Sequence, residues 1–144
     1  MTPSVEKITD KSSLESAFEI RRQVFVIEQN VDPLLENDEF EESSTHFLAK
    51  IDGKAVGTAR WRITEKGVKL ERFAVLQNSR GRGVGQALVE AVLADISKNP
   101  ESKNKLKYLN SQLTAIPLYA KFGFAKVGEM FEECNIQHFQ MQLA

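Results

Sequence analysis

"VLQNSRGRGVGQALVEAVL", Val75 to Leu93, leads from the end of a β-like run through three alternate glycines and two arginines into an amphipathic helix. A dinucleotide fingerprint Gly-x-Gly-x-x-Gly, counted from Gly81 and Gly83, meets Gln86 where the third glycine belongs. A Walker phosphate loop needs Gly-Lys-Ser/Thr at its end, and no such string occurs. What remains is a strand feeding a bare loop into a helix whose first N–H groups lack intrahelical acceptors. Such a helix end carries roughly half a positive charge, glycines permit close backbone approach, and Arg80 and Arg82 add full charges beside it. The segment therefore suits an anion of diphosphate size. The competing explanation is a strand-to-helix turn with two solvated arginines, for which three alternate glycines are more than a turn requires.

Outward from this corner, periodicity assigns the elements. "SVEKIT" alternates as a short strand, and Ser12 with Glu15 forms a capping box for a helix running to about Gln29. Leu14, Ala17, Phe18, Val24 and Phe25 make its apolar stripe, which Arg21 interrupts. "NVDPLLENDEFEESS" is acidic and irregular, ending near Thr45. "HFLAKID" and "KAVGTARWRI" flank Asp52-Gly53 as a hairpin. In "VKLERFAVL", strict alternation puts Lys69, Glu71, Phe73 and Val75 on one face and Val68, Leu70, Arg72 and Ala74 on the other. Val84, Ala87, Leu88, Ala91, Val92 and Ile96 line one face of the helix after the glycines, which ends before Pro100. "LKYLNSQ" is a strand, "TAIPLYAKF" a short helix interrupted near Pro117 and closed by Gly123, and "FAKVGEMF" and "IQHFQMQL" are the last strands. This order predicts an α/β (α+β) fold, a mixed, mostly antiparallel sheet flanked by helices, in one domain over residues 1–144.

Nineteen Lys plus Arg against 20 Asp plus Glu give a formal charge of -1, which supplies no bulk attraction to nucleic acid or an anionic membrane. No apolar run approaches the roughly 20 residues of a membrane span, and the N-terminus has no signal-like pattern. The lone Cys134 can form no internal disulfide, so a cytoplasmic, unprocessed protein is expected. His46 with the carboxylates of "ENDEFEE" lacks metal-ligand spacing, and no metal is expected.

"RGRGVG", Arg80 to Gly85, resembles the Arg/Gln-x-x-Gly-x-Gly/Ala signature of the GNAT superfamily of N-acetyltransferases, and Tyr119-Ala-Lys-Phe-Gly-Phe is similar to the family's Tyr-x-x-x-Gly-Phe. "IRRQVFVIEQNVD", "ENDEFEESSTHFLA" and "LNSQLTAIPLYAKFGFAKVGEMFEECNIQHFQM" look like the ElaA-like subgroup, so the resemblance covers about Ile20 to Met141. Asn110-Ser111-Gln112, Leu118 and Asn135 depart from the subgroup's usual small run, aromatic and glycine. The resemblance implies a GNAT-like fold and acetyl-CoA as co-substrate. It places the cofactor on Phe73, Ala74 and Val75 and on Arg80, Gly81, Arg82, Gly83, Val84, Gly85 and Gln86. It also implies direct attack of an amine on the thioester, which needs a proton acceptor for the amine and benefits from a donor for the departing thiolate.

Tyr119 matches the family's donor, with core packing as its other role. Glu71 is the first candidate base, on the ground that burial would raise its proton affinity, against an ion pair with Arg60 or Arg62. Glu28, at the end of the first helix, is the second. His46 and His138 are expected to be structural, and Cys134 a free thiol. The acidic loop is either a solvated surface or an attractor for a cationic amine, while Arg21, Arg22, Arg60 and Arg62 leave open an acceptor bearing a phosphate or carboxylate. The acceptor is thus a small-molecule amine or a peptide amine; a non-catalytic acyl-CoA sensor or interaction domain is the alternative. Exposed sheet edges and a family rich in dimers leave a homodimer open.

Overall fold

In the computed structural model, which describes residues 2–143, seven strands form one sheet. They are β1 Ser4–Lys7, β2 Thr45–Ile51, β3 Lys54–Ile63, β4 Val68–Val75, β5 Lys107–Gln112, β6 Phe124–Glu133 and β7 Ile136–Leu143, ordered β1-β2-β3-β4-β5-β7-β6. All neighbours are antiparallel except β4 and β5. The helices are α1 Lys11–Arg21, the single turn α2 Pro33–Glu36, α3 Val84–Lys98 and α4 Ile116–Ala120. The expected mixed, mostly antiparallel sheet with flanking helices is what forms.

Two apolar layers cover its faces. Val84, Leu88, Val89, Val92 and Ile96 of α3 pack with Phe47, Ala59, Trp61, Val68, Leu70, Leu109 and Met141, and Ile116, Leu118 and Tyr119 of α4 join that side. Ala17, Ile20 and Val24 cover Leu48 and Ala74 on the other. No helix among the described residues is long and apolar enough to cross a membrane.

Four local features differ from expectation. Asp10, not Ser12, caps α1: its carboxylate accepts from Ser13 N–H at 2.9 Å, because aspartate caps as well as serine and adds negative charge at the helix's positive end. Beyond Arg21 the helix widens into a seven-residue π-helix, Arg22–Glu28, reaching the expected end but with i→i+5 bonding. Pro117 occupies the first turn of α4 rather than interrupting it, since a residue there needs no N–H.

The fourth concerns β4. Thr58 pairs with Ala74 and Arg60 with Glu71, so one intervening residue of β3 opposes two of β4, a bulge at Arg72 and Phe73. Arg72 takes φ 58°. The bulge inverts the alternation. Phe73 and Val75 join Val68 and Leu70 on the α3 side, while Ala74 packs against α1, so the single face predicted for Lys69, Glu71, Phe73 and Val75 does not exist.

Candidate active site between the splayed strands

β4 and β5 pair only from Val68↔Lys107 to Leu70↔Leu109. Past that point they separate, and a cleft of about 980 Å³ opens between Glu71–Val75 on one wall and Asn110–Gln112 on the other. Diverging strands leave backbone groups facing each other without a ladder, which is a ready hydrogen-bonding surface for an extended ligand.

The glycine corner closes one end. Arg80, Gly81, Gly83, Val84, Gly85 and Gln86 line the cleft; Arg82 of the predicted set does not. Gly81 and Gly83 hold φ 80° and 81°, and nothing lies within 4 Å of where their side chains would start. The turn itself therefore needs two of the three glycines, more than expected, and the space above them is open. Gly85 is bare for another reason: a side chain there would meet Leu118 at 3.2 Å. Gly83 caps α3 without a side-chain hydrogen bond, and the first helical bond is Ala87 N–H to the Gly83 carbonyl at 3.0 Å. The amides of Val84, Gly85 and Gln86 are thus free donors at the positive end of a 15-residue helix. Arg80 donates to both carboxylate oxygens of Glu28, each at 2.7 Å, and to the Val75 carbonyl at 3.1 Å.

Tyr119 lines the cleft, 7% exposed, edge-on to Phe73 and Phe124 at 5.6 and 6.2 Å between centroids. Burial pushes its phenol up, so it stays protonated at any physiological pH. Of the two roles expected for it, packing is what the ring contacts show, and its place in the cleft lining leaves the donor role open.

The other end is built on charge. Arg60, 0% exposed, donates to Glu71 at 2.9 Å, to Asp38 at 3.0 and 2.7 Å and to Glu41 at 2.8 Å. Arg21, 1% exposed, donates to Glu36 at 2.7 Å and to Glu41 at 2.9 and 2.6 Å. Arg72 reaches Asp38 at 3.1 Å, and Arg62 and Lys69 reach Glu71 at 2.7 and 3.3 Å. Arg21 interrupts the apolar stripe because it is the inward end of this network. The acidic loop is accordingly neither a free anionic lure nor merely a solvated surface: Glu36, Asp38 and Glu41 turn inward onto guanidiniums, while Asp32, Glu39 and Glu42 are exposed.

These partners correct the raised proton affinity expected of Glu71. Burial alone raises the proton affinity of Glu71, but Arg60, Arg62 and Lys69 outweigh it and hold the carboxyl below its usual range. Hydrogen bonding to Arg80 lowers Glu28 in the same direction. The cross-strand ion pair is what Glu71 makes, while both carboxylates do line the cleft.

Four cleft residues carry no signal in sequence periodicity. Gln29 and Gln112 exchange amide hydrogen bonds at 3.3 and 2.9 Å, tying the π-helix end to β5. Asn110 lines the β5 wall, and His138 lines the cleft from β7. His46 lies instead beside the ion network, its ring nitrogen 2.7 Å from the Glu41 carbonyl and its proton affinity lowered by burial.

Residues 7–144 match the acetyltransferase (GNAT) domain family. The uncharacterized N-acetyltransferase YjcF of Bacillus subtilis is 37% identical over 133 residues, 92% of this chain and 93% of that protein. Protein ElaA of Escherichia coli is 30% identical over 90% of this chain and 86% of its own. Its crystal structure superposes with a TM-score of 0.85, covering 99% of this chain and 100% of that one at 27% identity. A GNAT family acetyltransferase from Elizabethkingia anophelis, solved with acetyl-CoA bound, shares the fold at a TM-score of 0.69 and 16% identity, over 98% and 95% of the two chains. The cleft with its glycine-opened helix end, and these relatives, establish that the chain is an acyltransferase of the GNAT acetyltransferase family, in its ElaA-like group.

Proposed function

We propose that the protein transfers an acetyl group from acetyl-CoA to the primary amine of a small molecule or peptide by direct attack. The observation that carries this reading is that the free amides of Val84, Gly85 and Gln86 open into the same cleft as the Tyr119 phenol. In this reading Arg80 to Gln86 hold the pyrophosphate, with Arg82 contributing long-range charge from outside the lining. The backbone of Phe73, Ala74 and Val75, unpaired on its β5 side, takes the amides of the pantetheine arm. Tyr119 gives a proton to the departing sulfur; its raised affinity keeps that proton available. Acetyl-CoA on the Elizabethkingia protein, on the same fold, supports this donor.

Glu71 and Glu28 enter as fixed charges rather than as bases. Glu71 neutralises Arg60 and Arg62, and Glu28 partly neutralises Arg80. The free thiol of Cys134 suits a reducing cytoplasm, and the outer edges of β1 and β6 are the places where a strand-to-strand homodimer would form.

Calorimetry with coenzyme A, followed by thiol release from acetyl-CoA across a panel of amines, tests the reading. Binding with amine-dependent release supports it. Binding without release would make the chain a sensor, and absence of binding would remove the cofactor assignment.

A further inference from the structure

His138 is 6% exposed and stacks on Phe131 with ring centroids 5.7 Å apart and planes 23° from parallel. Its Nδ1 lies 2.7 Å from the Ile136 carbonyl oxygen. A carbonyl only accepts, so Nδ1 carries the hydrogen and Nε2 of the neutral ring holds a free lone pair. Nε2 has no protein partner. Asn110 Oδ1 is the only buried side-chain polar atom left unpartnered among the described residues, so Nε2 is open to solvent, and the space beside His138 is the cleft. The β5–β7 register sets Gln112 opposite His138 and Asn110 on the adjacent diagonal of the same face. Two acceptors without partners, Nε2 and Oδ1, therefore line one wall.

Each buried carboxylate of the cleft is already clasped by guanidinium: Glu71 by Arg60 and Arg62, Glu36 by Arg21 and Arg72. Glu28 is held by Arg80, and Glu133 stands exposed at the β6–β7 turn. Lys69, Arg72, Arg80 and Lys121 are cationic, and Cys134 and Tyr119 complete the titratable groups of the lining.

We propose that His138 Nε2 is the proton acceptor for the incoming amine, with Asn110 Oδ1 accepting a second hydrogen bond from the same nitrogen. The proposal rests on the acetyl-transfer reading. The ammonium form of the acceptor gives one proton to Nε2. The freed lone pair attacks the thioester carbon, the C–N bond forms and the C–S bond breaks. Sulfur takes the Tyr119 proton, and the nitrogen returns one to Tyr119 as it becomes an amide. The sum is ammonium plus acetyl-CoA to amide, coenzyme A thiol and one H⁺, which the imidazolium releases to solvent.

The test measures thiol release from acetyl-CoA with tyramine, lysine and spermidine, then follows kcat/KM for the best acceptor against pH. H138A and H138N are compared with the native chain; the asparagine can still donate to the Ile136 carbonyl and serves if the alanine variant does not fold. Loss of a general base predicts a fall of about 10²-fold or more at neutral pH in both variants. The acidic limb of the profile disappears, added imidazole partly restores H138A, and coenzyme A affinity is unchanged. N110A raises KM for the amine and leaves KM for acetyl-CoA alone. Native kcat/KM in H138A, or full recovery in H138N, overturns the proposal while leaving acetyl transfer intact. A native chain that binds coenzyme A but acetylates none of the three amines removes the acetyl-transfer reading, and the role of His138 with it.

Discussion

Arg60→Met tests the charged half of the site. The guanidinium is fully buried and makes hydrogen bonds to Asp38, Glu41 and Glu71, so methionine keeps most of the stem but leaves three carboxylates facing a gap. Removing one partner of a buried ion pair costs about 3–5 kcal/mol. Arg21, Arg62, Lys69 and Arg72 remain on the same carboxylates, which sets the expectation at the lower end, about 3 kcal/mol. For a chain of this length that lowers Tm by roughly 6–12 °C. The sign with pH follows from Asp38, whose carboxyl is pulled from 3.8 to about 2: burial opposes the shift, and Arg60 chiefly drives it, with Phe40 N–H and Arg72 adding to it. Glu41 and Glu71 are lowered in the same direction. A carboxylate depressed in the folded state stabilises it above its unfolded value, and that stability is lost as pH falls through the folded value. The native chain should therefore exceed the variant by its full margin at pH 6–7, and the margin should narrow from about pH 5 downward. Urea unfolding can follow the buried Trp61, whose indole donates to Asp95 at 3.0 Å. A margin under about 1 kcal/mol at neutral pH, the scale of an exposed pair, or one that does not change on acidification, would refute the network as the organiser of this half of the cleft.

Gly83→Ala should cost roughly 1–2 kcal/mol of stability, since φ 81° is left-handed and no atom crowds the site, and should weaken coenzyme A binding by about tenfold or more as the methyl enters the space above the loop. Gly53→Ala, at φ 78° in the remote hairpin and equally open, is the control: it should match the first cost without the second, and equal affinities in both variants would remove the loop from the binding site. Glu28→Gln frees Arg80 from a half-exposed pair, so coenzyme A should bind about 2–5-fold tighter at low salt, with the gain fading as ionic strength rises; weaker binding would show that Glu28 holds Arg80 in place for the phosphate. Tyr119→Phe should lower kcat by about 10²-fold at unchanged coenzyme A affinity, and a native rate would leave the ring with packing alone.

How far the sequence discloses this molecule depends on the range of the forces involved. The glycine corner is legible because its cause is local: a strand end, positive φ at Gly81 and Gly83, and a helix start all lie within one short segment. The Asp52-Gly53 hairpin is legible for the same reason, with φ 52° and 78° at its centre. The end of α3 at Lys98 follows from Pro100. Arg21 is visible as an interruption of the stripe, but its meaning is not, because Glu36 and Glu41 reach it from 15 and 20 residues away. The faces of β4 are not legible either, since the bulge is fixed by pairing with Thr58 and Arg60 of another strand. The proton affinity of Glu71 fails for the same cause: burial can be guessed from one strand, but the three cations that reverse it arrive from β3 and β4 together.

The bulge also explains why one cleft can hold two chemistries. With strict alternation from Val68 and Leu70, which face α3, Phe73 and Val75 would fall with Glu71 on the α1 side, away from Tyr119. That face carries Arg60, Arg62 and their carboxylates, and Tyr119 would lose one of its two ring partners. One inserted residue leaves Glu71 on Arg60 and Arg62 and sends Phe73 onto Tyr119, at the cost of a left-handed φ at Arg72, on the order of 1–3 kcal/mol. The strain sits where the two halves meet. Arg72 itself is held there by the Glu36 carbonyl and by Asp38 of the acidic loop, so the loop that the sequence marks as charged braces the bend set by the pairing with β3.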